Sequence, residues 1–297
     1  MTATSAALSQ CPVGIHSKVW VGGWTAEEAE KAIAGTKRAD FDLIELDLSR
    51  PEDVDAAMTR RLLEKYELKC SGSVGLPKGA DISSSDASVR EHGRQVLSAA
   101  LQAVHQCGGN YFGGVNYCAM EKYTQPCSAE QWRYCKSSLK ALAREAADHN
   151  ITWGLEVVNR YVSNILNTAQ QAMEMIADVD EPNIVVHLDT LHMNIEEVSI
   201  ERACRLCGSK LGYIHAGESH WGYLGVGTVD WPSLFRGLAA VDYTGPVTFE
   251  SFSAAVVSET HSQALCIWRD LWTDPEDVAI KAQQFLHANL QLPFPPG

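Results

Sequence analysis

Short apolar runs alternate with longer helix-forming stretches along the whole chain, and the alternation repeats eight times. The apolar runs lie at 13–16, 42–46, 69–74, 111–115, 152–157, 184–188, 212–215 and 247–250. Each is short and nearly continuous, as a strand buried on both faces of a parallel sheet must be. Between the runs, good helix formers with helical periodicity cover 26–37, 54–67, 88–106, 129–150, 169–178, 197–207, 231–240 and 275–289. Several helix boundaries are marked chemically. Thr25 precedes Glu27 and Glu28, Ser128 precedes Glu130, and Asp230 precedes Trp231 and Pro232, each a capping residue at an expected helix start. Gly108 with Gly109, and Asn150, fall where helices should stop.

No Gly-Ser linker, low-complexity block or composition break interrupts the repeat, which predicts one domain over residues 1–297. With 297 residues and 45% hydrophobic content, the chain can fill a barrel of about 250 residues. The expected fold is α/β: a single closed (β/α)8 barrel, or TIM barrel. The rival is an open doubly wound sheet, which would carry a glycine-rich fingerprint after an early strand. None is present; Gly222, Gly225 and Gly227 follow the seventh run and enter a loop.

Charge narrows the partners. The chain carries 37 acidic against 24 basic residues, a net charge of −13, which repels phosphate backbones and anionic lipid. Nucleic acid and membrane surfaces are therefore not expected as partners, and a small neutral substrate is. The first residues lack a basic segment followed by an apolar run of signal length, so a cytoplasmic location is expected. Nine cysteines scattered from Cys11 to Cys266 do not form a secreted disulfide framework, so reduced and mostly buried thiols are expected. Cys204 and Cys207 have no second pair and read as structural. The proline-rich end, 291–297, reads as an exposed tail.

Barrel enzymes place their chemistry at the C-terminal ends of strands. Applied here, that rule selects Glu156 on the fifth run, Asp189 just after the sixth, His215 on the seventh and Glu250 on the eighth. Three carboxylates and an imidazole suit Mn²⁺, Mg²⁺ or Co²⁺ and lack the thiolates of structural zinc sites. Burying the three acids together without a cation would force at least one to hold a proton. His192 is expected to face the same cavity and donate to substrate. His187, two residues before Asp189, points to the same side and reads equally as a partner of the site or a core histidine. Glu218 and His220 read as pocket or loop residues. Among Trp20, Trp24, Tyr117, Trp221 and Trp268, the loop position of Trp221 best suits stacking on a sugar.

The motifs LEVVNRY at 155–161, HLDTLHMNIEE at 187–197, HAGESH at 215–220, GYLGVGTVDW at 222–231 and FESF at 249–252 occur in the order found in one family. Over nearly its whole length the chain resembles the ketose 3-epimerases, the D-tagatose and D-allulose 3-epimerase group of the xylose-isomerase-like barrels. The resemblance implies a metal held by Glu156, Asp189, His215 and Glu250, with Mn²⁺ first in expectation. It implies that Glu156 and Glu250 exchange the C3 proton of a ketose through a cis-enediolate. It also implies that His192 binds near O1 and O2, and that the chain forms a homodimer or homotetramer.

Two positions depart from the family pattern. The family has a glutamate at the position of Val162 and an arginine at the position of Trp221, both at the C1–C2 end of the ketose. Losing an acid and a base together leaves no single unpaired charge, so the departures imply a less polar pocket and an altered substrate preference. A lyase that eliminates the aglycone of a 3-oxo-glycoside is the alternative enzyme that such a pocket would suit. A catalytically inactive sugar-binding barrel is the non-enzymatic alternative, and retention of both Glu156 and Glu250 argues against it.

Overall fold

The structure, a computed structural model, describes residues 8–293. Residues 1–7 of the expected domain and 294–297 of the expected tail lie outside the described residues. Eight strands form a closed parallel barrel in sequence order: β1 Val13–His16, β2 Leu43–Asp47, β3 Lys69–Gly75, β4 Tyr111–Val115, β5 Thr152–Val157, β6 Ile184–Asp189, β7 Leu211–Ala216 and β8 Val247–Phe249. The single (β/α)8 barrel expected from the alternation is the fold observed.

The helices are α1 Ala26–Arg38, α2 Ala56–Tyr66, α3 Ala87–Cys107, α4 Ala129–Asp148, α5 Ala169–Val179, α6 Thr190–Glu196, α7 Ile200–Cys207, α8 Trp231–Ala240, α9 Glu259–Leu265 and α10 Pro275–Leu290. Thr25 and Glu28 form a capping box on α1, while Ser128 and Asp230 cap α4 and α8. Gly108 ends α3 in the left-handed region at φ 89°, where a side chain would be strained. Two departures from expectation bear on the site. The helix expected from 197 begins at Ile200 as α7, and a separate helix, α6, follows β6 without a loop, its first turn capped by the Asp189 side chain accepting from Leu191 N. The second is α9, an unexpected helix after β8.

The main core packs the outer strand faces against the helices, with Trp153, Phe112, Phe235 and Phe249 fully buried. A smaller cluster of Phe252, Val257 and Ile267, joined by Trp221, sits under α9. All nine cysteines are unpaired and most are buried. Burial pushes the Cys207 thiol up to about 12, so it is protonated and inert at neutral pH. No helix among the described residues is long and apolar enough to cross a membrane.

Candidate active site

Because successive strand residues alternate in direction, residues two apart on one strand share a face. On β6, His187 and Asp189 share the inner face, and their sheet neighbours are Glu156 of β5 and His215 of β7. His215 pairs in register with Thr248 of β8, so Glu250, two residues later, reaches the same end of the lumen. Four consecutive strands thus bring Glu156, Asp189, His215 and Glu250 together, with candidate ligand atoms all within 4.8 Å of one another. All four are buried: Asp189 is 0% exposed and Glu250, the most open, 8%.

His215 is the hub. Its Nδ1 lies 3.0 Å from Glu156 Oε1 and 3.4 Å from Glu250 Oε1. On the opposite edge of the ring, Nε2 lies 2.9 and 3.1 Å from the two oxygens of Glu45. Tyr117 donates its hydroxyl to the Glu156 carbonyl at 2.8 Å, pinning β5 where the glutamate projects.

The electrostatics of this cluster are divided. Burial pushes Glu156 up, but the facing imidazoles of His215 and His187 outweigh it and bring the carboxyl down to about 2. Glu250 goes the other way. Burial, reinforced by repulsion from Asp189 and Glu156, raises it well above the carboxylate range despite His215. Asp189 is also raised, by burial first, with His192 and His215 opposing. His215 resists its own burial because Glu45, Glu250 and Glu156 surround it, and its affinity for a proton is raised.

The donor set fits a hard divalent cation. Asp189 Oδ2 is buried and has no hydrogen-bond partner, while Oδ1 is taken by Leu191 N. An orphaned carboxylate oxygen aimed into an acidic cluster costs free energy unless something positive meets it. Three carboxylate oxygens and one imidazole nitrogen match the oxygen-rich sets that hold Mn²⁺, Mg²⁺ or Co²⁺.

The remaining expected site residues fall in different places. His192, on α6, is 6% exposed, and its Nε2 faces Asp189 Oδ2 at 3.6 Å. Glu218, expected as a pocket residue at the substrate or a loop residue, is 0% exposed and accepts from Ser219 N, Gly225 N, Val229 N and Trp231 Nε1. Its carboxylate is therefore the clamp of the loop between β7 and α8. Trp221, in the same loop at φ 55°, stacks edge-on against Phe252 with ring centroids 5.2 Å apart, and its buried Nε1 has no partner. Val162 packs against the main core, not in the small cluster that holds Trp221. His187 is fully buried, edge-on to His215 at 4.1 Å, and neither ring nitrogen has a partner. Trp24 donates to Thr59, and Trp20 is in the core.

The residues unforeseen from sequence are Glu45 and Asn159. Glu45 is the one acid amid the apolar residues Leu43, Ile44 and Leu46, and an acid at such a position was the available signal. Asn159 lies inside the LEVVNRY motif but carries no charge to single it out.

Residues 33–288 match the family model described as xylose isomerase-like TIM barrel. The chain is 44% identical over 273 residues to the L-ribulose 3-epimerase of Methylomonas sp., covering 92% of this chain and 96% of that protein. It is 40% identical over 278 residues to the ketose 3-epimerase of Arthrobacter globiformis, covering 94% and 96%. Among solved structures, the D-allulose 3-epimerase of Methylomonas sp. in complex with D-allulose superposes with a TM-score of 0.93 at 43% identity, covering 94% of this chain and 97% of that one. With the barrel, the strand-end acids and this breadth of similarity in agreement, the chain belongs to the xylose isomerase-like TIM barrel family and, within it, is an isomerase of the ketose 3-epimerase family.

Proposed function

We propose that this protein epimerises a free ketose at C3 by two-carboxylate proton transfer, with a divalent metal, Mn²⁺ before Mg²⁺ or Co²⁺, held by Glu156, Asp189, His215 and Glu250. The observation that carries the reading is the convergence of Glu156 and Glu250 on one imidazole edge, at 3.0 and 3.4 Å from His215 Nδ1. The relatives, named for L-ribulose and D-allulose, support a ketose substrate and favour epimerisation over elimination of an aglycone.

Bound at this site, a dication supplies Lewis acidity at the substrate's C2 carbonyl, which acidifies the neighbouring C3–H. Glu156, held ionised, is suited to take that proton, and the C–H electron pair becomes the C2=C3 bond of an enediolate. Glu250, pushed towards its protonated form by burial, is suited to return a proton to C3 on the opposite face. The roles exchange in the reverse direction, and solvent exchange restores the starting protonation. His192 Nε2–H is suited to donate to a substrate oxygen near C1 and C2.

The apolar residues Val162 and Trp221 adapt the C1 end to a less polar substituent, such as the methyl group of a 1-deoxy-ketose. The chain is proposed to act as one catalytic domain, in the cytoplasm, and as a homodimer or homotetramer. Trp268, 69% exposed beside the buried Ile267, supplies apolar surface suited to such an interface.

The test is deuterium incorporation from D₂O in the presence of Mn²⁺, with D-fructose, D-allulose, L-ribulose and 1-deoxy-ketoses as substrates. Deuterium at C3 together with an epimeric product is expected. It should be lost in Glu156→Gln and Glu250→Gln. Absence of exchange with every ketose defeats the reading, and release of an aglycone from a 3-oxo-glycoside would replace it with the lyase.

A further inference from the structure

Glu45 has no assigned part in the chemistry above, yet it adjoins the cluster and is fully buried, at 0% exposure. It projects from the middle of β2, between His16 of β1 and Ser71 of β3 in register. Its partner is His215, on the far side of the lumen and 170 residues away in sequence. Both Glu45 oxygens reach His215 Nε2, at 2.9 and 3.1 Å, whereas His16 Nε2 stays at 3.8 Å. Among the described residues, no lysine or arginine forms an ion pair with Glu45. A buried carboxylate with no lysine or arginine against it is costly as a structural device.

The two edges of the His215 ring do different work. Nδ1 faces Glu156 and Glu250, inside the group able to hold a metal, while Nε2 faces Glu45, outside that group. A neutral imidazole carries one N–H and one lone pair, and the hydrogen bond on one nitrogen decides which atom offers the lone pair. A carboxylate can only accept, so with carboxylates at both edges each nitrogen carries a hydrogen; a cation would displace the one on Nδ1, and Glu45 retains the one on Nε2. The layer beneath steadies this arrangement. Tyr213, two residues before His215 on the same face of β7, receives a hydrogen bond from Thr248 Oγ1 at 2.7 Å and meets Ser71 Oγ at 2.9 Å.

We infer that Glu45 is a positioning residue for the metal centre: by accepting from His215 Nε2–H it fixes the ring angle and the tautomer that presents the Nδ1 lone pair to a cation among Glu156, Asp189 and Glu250. The inference rests on the four-ligand reading proposed above. It makes Glu45 a determinant of metal affinity that neither substrate nor cation touches.

The experiment is calorimetric titration of Mn²⁺ into the metal-stripped full chain. Glu45→Gln retains volume and an acceptor oxygen, and Glu45→Ala retains neither. The dissociation constant is expected to rise about 10- to 100-fold in Glu45→Ala and by less in Glu45→Gln. Should Glu45→Ala fail to fold, the glutamine variant carries the test. In a His215→Ala background the Glu45→Gln change is expected to have no further effect on Mn²⁺ affinity, since its route of action is gone. An equal loss in both backgrounds would show that Glu45 acts through the fold and would overturn the inference. Asp189→Asn separates the two levels of the argument. Parent Mn²⁺ binding that is indifferent to Asp189→Asn overturns the ligand reading and the inference with it. Binding that responds to Asp189→Asn and ignores both Glu45 variants overturns the inference alone.

Discussion

Asn159 Nδ2 donates to His192 Nδ1 at 2.8 Å, and this one bond decides which face of the histidine the cavity sees. The amide orientation is itself fixed, because Asn159 Oδ1 accepts from Tyr161 N at 2.9 Å. With Nδ1 occupied as an acceptor, a neutral His192 must carry its hydrogen on Nε2, the atom facing Asp189. Asn159→Ala should let the ring rotate and change tautomer. Losing a neutral hydrogen bond is worth about 1 kcal/mol, so kcat/KM should fall roughly fivefold, with Mn²⁺ affinity unchanged. A parent-like kcat/KM would show that His192 does not act through Nε2.

Metal removal should destabilise the fold in a pH-dependent way. Asp189 and Glu250 both hold protons more tightly than ordinary carboxyls, burial being the leading cause, and a cation must displace those protons. Mn²⁺ at about 100 times its dissociation constant adds about 2.7 kcal/mol of stability. At an unfolding entropy of about 2.1 cal/mol/K per residue, that amounts to a rise of about 4 °C in Tm for 297 residues. The rise should shrink as pH is lowered, because protons compete for the same oxygens. Thermal melts with and without a chelator, at two pH values, read both effects.

Val162 and Trp221 are expected to act as a matched pair at the C1 end of the substrate. Val162→Glu or Trp221→Arg alone introduces one uncompensated charge, whereas the double change supplies a partner for each. The double variant should therefore exceed the additive expectation for D-allulose turnover by a coupling of about 0.5–3 kcal/mol. An apolar pocket discriminates weakly against a missing hydroxyl, whereas a pocket built to bind it discriminates strongly. Activity on 1-deoxy-ketoses relative to the parent sugars should thus fall in the double variant. Strict additivity would place the two residues in separate roles.

Much of this arrangement was legible because barrel strands announce themselves locally. The run VGIH became β1 with the expected bounds, and TWGLEV became β5 with Glu156 near its end. Residues at strand ends follow from chain direction alone, which is why Glu156, Asp189, His215 and Glu250 could be singled out before their distances were known. Glu45 was marked only as an acid among apolar residues, and its role stayed hidden because it depends on barrel closure bringing β2 across the lumen from β7, two strands that share no hydrogen bonds. The α6 helix escaped for a different reason. Asp189 is both the end of a strand and the cap of the next helix, and a sequence read for loops leaves no room for a junction without one.

Glu218 illustrates how a conspicuous acid in a functional loop can serve structure. Its four donors come from Ser219, Gly225, Val229 and Trp231, spanning the whole loop that carries Trp221. Those contacts outweigh its burial and hold the carboxyl below its usual range. Glu218→Ala strands several buried donors, each costing about 1–3 kcal/mol if water does not reach it. A loss of about 3 kcal/mol in unfolding free energy is expected, with faster proteolysis between 218 and 230. Retained stability with a raised KM would return Glu218 to the substrate.

Asp47 at the end of β2 gives a sign-definite test of electrostatics away from the proposed ligands. Burial pushes its carboxyl up, but the Lys18 ammonium at 3.1 Å, helped by His16 and a hydrogen bond from Ser49, brings it down to about 2. The unfolded chain has an ordinary aspartate near 3.9, so below that value the unfolded state binds a proton that the folded state refuses. The contribution is therefore fully present above about pH 4 and is lost as pH falls towards 2. Its size is about 2–3 kcal/mol from the difference between the two pKa values. Asp47→Asn should cost roughly that much at pH 7 and much less at pH 2.5, where the parent carboxyl has lost most of its advantage. Denaturant titrations of both proteins at the two pH values measure the difference. An Asp47→Asn penalty that stays constant with pH would mean that Asp47 stabilises the barrel mouth by hydrogen bonding, with its charge contributing nothing.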